Sequence, residues 1–167
     1  MDHGFPALGY HRAYPHAVLY KFIFKGVEMP YQDDNIFAKI LRGEAPSYKV
    51  YENDDTFVMM DIMPESKGHL LVLPKEGAKN ILDISDEAIS ACARTCKKIA
   101  PALMKATNAD GLIVSQFNHA PAGQTVFHLH VHMIPVYEGQ SRAAHGRTQG
   151  NPEELVALAK EIASYIE

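Results

Sequence analysis

The stretch TVFHLHVHMIP, Thr125 to Pro135, sets His128, His130 and His132 at every second position of an otherwise apolar run. In a strand, side chains alternate faces, so the three imidazoles project together while Phe127, Leu129, Val131 and Met133 point to the opposite, buried side. Three chemistries suit such a row. Buried histidines can be core groups, but three in register would all need partners for their donors and acceptors. Histidine is also a common zinc ligand. With a rise of about 3.3 Å per residue the outer two start roughly 13 Å apart, and drawing both onto one ion, at bonds of about 2.0–2.1 Å, would strain the row. Two of them with a distant ligand still suit a metal. The third chemistry is nucleophilic. A neutral imidazole, with an ordinary pKa of about 6.5, attacks phosphorus if its other nitrogen is held as a donor, and flanking histidines can bond the phosphate oxygens. The middle residue, His130, is then the natural nucleophile.

Other residues could complete such a site. In the loop HAPAGQT, Gly123 allows backbone to approach a phosphate closely, and Gln124 and Thr125 offer donors beside it. A plain hairpin turn accounts for that loop equally well. Taken alone, His69 in KGHLL reads as a strand-edge histidine, and Asp61, before Ile62, as a strand end.

The elements that must position these groups follow from pattern. DDNIFAKILRG has Asp34 as an N-cap candidate, Ile36, Phe37, Ile40 and Leu41 on one helical face, and Gly43 as a stop. SYKVYENDDTFVMMD reads as two strands turning at Asn53–Asp55, with Val50, Phe57 and Met59 buried. GHLLVLP is a nearly continuous apolar strand suited to the middle of a sheet, ended by Pro74. Residues from Ser85 to about Asn108 form the longest helix, with Asp86 and Glu87 at its N-terminal dipole and a kink or break expected at Pro101. GLIVSQFN and the histidine run are two further strands. The last helix starts at Asn151 and Pro152 and carries Leu155, Leu158, Ala159, Ile162 and Ile166 on one stripe.

Composition narrows the class. The chain has 167 residues, 47% apolar and 22% charged, which suits one globular domain with a sizeable core. A net charge of -4 and no Lys/Arg stripe argue against nucleic acid as the partner. Cys92 and Cys96, four apart on a helix, suit reduced thiols rather than a disulfide framework. No apolar run approaches the roughly 20 residues of a spanning helix, so a cytoplasmic protein with no membrane partner is expected. Residues 1–32 fit neither helix nor strand periodicity. They read as an upstream extension with Met29 as the natural start, the alternative being an arm that packs on a partner subunit.

Three ordered segments resemble the histidine-triad family of nucleotide hydrolases and transferases, nearest its Hint-type branch. DNIFAKILRGEAPSYKVYEND is similar to the family's N-terminal segment, MMDIMPESKGHLLVLPK to its ribose-binding stretch, and NHAPAGQTVFHLHVHMIP, with the signature HLHVHMI, to its phosphate loop and triad. The resemblance implies that His130 attacks the α-phosphorus to give a nucleotidyl-histidine that water resolves. His128 and His132 would orient His130 and contact phosphate oxygens, with His69 completing the network beside His132. It further implies that Asp61 takes the ribose hydroxyls, that Ile62 closes the sugar-base pocket, and that Ile36, Phe37 and Ile40 wall the base. Asn118, Gly123, Gln124, Thr125 and Val126 would serve the phosphate region. No metal or cofactor is called for. One departure is Gly77, where many members have histidine after the Pro-Lys that ends the third strand. A second is the long tail after Pro135, in a region that bears on substrate selection.

The expected fold is α+β: a five-stranded, mainly antiparallel sheet with a long helix against it, spanning residues 33–138, followed by a tail at 139–167 ending in a helix. The resemblance implies a homodimer whose sheets join. The expected activity is hydrolysis of purine nucleoside 5'-phosphoramidates or related nucleotidyl conjugates. Alternatives are a dinucleoside polyphosphate hydrolase, or a scaffold protein that binds nucleotide or metal.

Overall fold

The apolar alternation of the central segments is satisfied by burying both faces of one sheet. In a computed structural model, which describes residues 30–143 and 148–167, the sheet contains β1 (Lys49–Glu52), β2 (Thr56–Met60), β3 (Leu70–Pro74), β4 (Gly111–Ser115) and β5 (Val131–Val136). The order is β1-β2-β3-β5-β4 and every pairing is antiparallel, so the expected α+β architecture is observed. As its apolar run indicated, β3 is the middle strand and is buried along its length. The proposed start at Met29 and the two readings of the N-terminal extension fall on residues 1–29, outside the described part.

One face of the sheet carries the main core. Val58 and Met60 of β2, Leu70 and Val72 of β3 and Met133 of β5 pack with Cys92, Cys96, Ile99 and Leu103 of α2 (Asp86–Thr107). The same cluster takes Leu155, Leu158 and Ile162 of α3 (Pro152–Ser164), so the C-terminal tail folds onto the domain. Tyr31–Glu167 forms one unit. The opposite face is covered by the short helix α1 (Ile36–Leu41), whose Phe37 and Ile40 pack on Phe57, Met59, Leu71 and Leu73. Burial pushes the Cys92 and Cys96 thiols up to about 12 and about 11, and neither is in a disulfide. Among the described residues no helix is long and apolar enough to cross a membrane.

Three local expectations are corrected. The N-cap of α1 is Asn35, not Asp34: its Oδ1 accepts the Ala38 N–H at 3.0 Å. Of the kink or break expected at Pro101, the break is absent: helix α2 runs through that residue. Proline removes one helical hydrogen bond, but Ile99, Ala102 and Leu103 on either side are buried, and that packing holds both halves in one helix. Finally, β5 begins at Val131 rather than near Thr125. The ladder with β3 runs only as far as the Val72–Val131 pair, although β3 itself continues to Pro74 against β2. The residues before Val131 bond instead to the segment after β3, with Leu129 N–H donating to Ala78 O at 2.7 Å. Phe127, expected inside, is accordingly 42% exposed.

Candidate active site

The three histidines keep their common direction although only His132 lies in the ladder. Leu129, Val131 and Met133 are buried in the main core, and the intervening imidazoles lie on the α1 side, where all three are also buried. The His130 and His132 ring centroids are 4.9 Å apart. Phe37 of α1 meets His130 edge-on at 5.0 Å and His128 at 6.4 Å, and Phe117 meets His132 at 5.2 Å. Helix α1 therefore walls the row as well as covering the sheet.

Backbone groups determine which nitrogen of each ring carries a proton. His130 Nδ1 lies 2.7 Å from the carbonyl oxygen of His128. A carbonyl only accepts, so Nδ1 holds the hydrogen and, in the neutral ring, Nε2 holds the lone pair. The same reasoning applies to His128, whose Nε2 donates to the carbonyl of Pro74 at 2.9 Å and whose Nδ1 therefore accepts, here from the Tyr31 hydroxyl at 2.5 Å. Burial holds the His128 imidazole below the usual histidine range, the Pro74 carbonyl opposes that shift and His130 adds to it. His69 accepts the Glu65 N–H on Nδ1 at 3.1 Å, so its Nε2 donates to His132 Nδ1 at 2.9 Å. That leaves His132 protonated on Nε2. The row thus combines a nucleophilic nitrogen on His130 with a donor nitrogen on His132.

Asp61, at the end of β2, is buried. Its Oδ1 accepts the Met63 N–H at 2.8 Å and its Oδ2 lies 3.6 Å from His69 Nε2. Ile62 beside it is half exposed, as is Ile36, whereas Phe37 and Ile40 are buried in the smaller core. Asn118 accepts the Ile81 N–H at 2.9 Å, tying the end of β4 to the segment after β3. Gln124 is buried with both ends of its amide engaged: Oε1 accepts from His119 N–H, and Nε2 donates to Lys79 O and Val126 O. Its contribution in this state is to shape the loop. Gly123 adopts φ +104, a conformation that disfavours any side chain, and exposes backbone there with Thr125, while Val126 packs on the smaller core.

Asp61, His69 and His132 each present one ligand atom within 4.8 Å of the others, the set among the described residues able to hold a metal. It includes one histidine of the row, His132, where the sequence left open two of the row with a distant ligand. The bond from Glu65 N–H to His69 Nδ1 leaves the other His69 nitrogen protonated, so that histidine would have to lose a proton before ligating there.

Residues that the sequence did not single out also reach the row. Tyr31, within the segment read as an extension, meets His128 across 97 positions, and Phe117 packs on His132. Neither periodicity nor spacing marks such contacts. Gly77, the departure from the family pattern, faces Tyr31: a Cβ there would lie 2.7 Å from the tyrosine Cε1.

The HIT domain family matches residues 42–139. The chain is 38% identical over 136 residues to an uncharacterized HIT-like protein of Borreliella burgdorferi, covering 80% of this chain and 96% of the relative. It is 38% identical over 140 residues to the adenosine 5'-monophosphoramidase hnt1 of Schizosaccharomyces pombe, covering 78% and 97% respectively. A solved structure, of a Hit-like protein involved in cell-cycle regulation from Bartonella henselae, superposes with a TM-score of 0.75 at 45% identity, covering 81% of this chain and 98% of that one. By its histidine row, its sheet and these matches, the chain belongs to the histidine-triad (HIT) family.

Proposed function

We propose that the protein hydrolyses purine nucleoside 5'-phosphoramidates or related nucleotidyl conjugates through a covalent intermediate on His130. The observation that carries this reading is the 2.7 Å contact between His130 Nδ1 and the His128 carbonyl. It presents Nε2 as the attacking atom and gives the positive charge formed on attack a carbonyl to bond. In the first step the Nε2–phosphorus bond forms and the phosphorus–nitrogen bond to the leaving amine breaks, the amine departing with a proton. Water then attacks phosphorus, the bond to Nε2 breaks and nucleoside monophosphate leaves. His132 Nε2–H is the donor assigned to phosphate oxygens, and Asp61 the group assigned to the ribose hydroxyls. The exposed apolar surface of Ile36 and Ile62 suits a base and sugar that would cover it. Similarity to a protein named as an adenosine 5'-monophosphoramidase supports the substrate class.

A homodimer is part of the proposal. Strand β4 ends the sheet, so its outer backbone groups are available to a second copy, and Val114 on it is 52% exposed.

The test is AMP release from adenosine 5'-phosphoramidate in excess chelator. Wild type should turn over, and His130→Asn should lose at least about 10³-fold in kcat, roughly 4 kcal/mol of transition-state stabilisation, with an unchanged fold. Activity lost to chelator would favour metal at Asp61, His69 and His132. A folded wild type active only on dinucleoside polyphosphates would favour that alternative.

A further inference from the structure

His128 is held from two sides. Its Nε2 donates to Pro74 O at 2.9 Å, which commits Nδ1 to accepting a hydrogen bond, and the Tyr31 hydroxyl lies 2.5 Å from that nitrogen. The tyrosine oxygen in turn accepts from Asn35 Nδ2 at 3.1 Å. Asn35 is anchored twice more, donating to Gln32 O at 2.7 Å and capping α1 through Ala38 N–H. The tyrosine ring lies edge-on to His128 with centroids 5.6 Å apart. Its space exists only because residue 77 lacks a side chain: a Cβ at Gly77 would stand 2.7, 3.1 and 3.2 Å from Cε1, Cδ1 and Cζ of Tyr31.

We propose that Tyr31 is a positioning residue for the reaction, a strut from the N-terminus of α1 that holds His128, and through the His128 carbonyl the nucleophile His130, with Gly77 as the clearance it needs.

The proposal rests on the reading of His130 as nucleophile and adds how its orientation is maintained. The His128 carbonyl is the acceptor that sets the His130 tautomer, so a shift of His128 moves the attacking nitrogen. Ring and backbone of one residue are coupled through a few bonds, and small misplacements of a reacting atom cost rate steeply. Burial raises the Tyr31 phenol above its ordinary value against the opposing Asn35 bond and Arg42 charge, which keeps the hydroxyl a donor. No contact between Tyr31 and substrate is invoked, so kcat should respond more than KM.

The experiment uses the full chain, labelled with ¹⁵N-histidine, and compares wild type with Tyr31→Phe, which keeps the ring and removes the hydroxyl. The expected result has two parts: the His128 Nδ1 resonance moves downfield as its lone pair loses a donor, and kcat falls about three- to tenfold with KM within twofold. An unmoved resonance, or kcat within twofold of wild type, would overturn the proposal. Gly77→Ala attacks the same strut from the other side. It should slow the wild type yet add nothing on top of Tyr31→Ala, and independent, multiplying losses would refute the coupling. A wild type inactive on every nucleotidyl substrate would defeat the functional reading above, and the His128 resonance would still decide the strut.

Discussion

His69 Nε2 lies 2.9 Å from His132 Nδ1 although 63 residues separate them. The partner strands β3 and β5 bring them together: Leu71 pairs with His132, and His69 sits just before β3. Because Glu65 N–H occupies the other nitrogen of His69, the proton between the two rings belongs to His69 and the outer nitrogen of His132 is a donor.

Replacing His69 by phenylalanine keeps a ring but removes that donor, leaving His132 to adopt either tautomer. Turnover should fall about tenfold and urea stability by about 1–3 kcal/mol, the range for a buried group that loses its partner. His69→Gln, which retains a donor, should recover part of both. Equal activity in all three proteins would refute the relay.

His128 makes stability depend on pH. Its folded pKa is depressed by burial, so above the unfolded value of about 6.5 both states are neutral and the group contributes no slope. Below that value the unfolded chain takes up a proton that the folded ring resists until the pH reaches its lower folded pKa. Stability is therefore lost as pH falls below about 6.5. Urea midpoints should decrease between pH 7 and pH 5 more steeply for wild type than for His128→Gln. Parallel slopes would remove His128 from the account.

Gly68 precedes His69 with φ +89, and a Cβ there would stand 2.5 Å from Thr107 Cγ2 and 3.2 Å from Pro135 Cγ. Gly68→Ala adds backbone strain to overpacking and should cost about 2–4 kcal/mol in chemical denaturation. A loss below about 1 kcal/mol would mean that helix α2 yields at its C-terminal end.

On the proposed dimer, Val114→Asp places a charge on the exposed edge strand. Sedimentation should change from dimer to monomer while the circular dichroism of each subunit is kept. A protein monomeric before the substitution would remove the dimer.

Much of the architecture was legible in the chain because it follows from local chemistry. Ser85 and Asn151 cap their helices as those side chains do, the Asn53–Asp55 turn separates two strands, and β3 is buried on both faces as its continuous apolar run requires. Alternation placed His128, His130 and His132 on one side, and that direction survives even where the strand does not, since Leu129 still anchors the opposite side. The family resemblance, carried by three ordered segments, brought His69 and Asp61 to the same place. Tertiary structure alone decided the rest. Where β5 begins depends on how far its ladder with β3 extends, a property of two segments nearly sixty residues apart. The integrity of α2 at Pro101 depends on packing that outweighs one lost hydrogen bond. Proton positions in the row depend on carbonyls and an N–H supplied by Pro74, His128 and Glu65, backbone groups that every residue possesses and no motif can mark. Tyr31 carries no periodic signal, and only the folded chain sets its hydroxyl against His128 in the space left by Gly77.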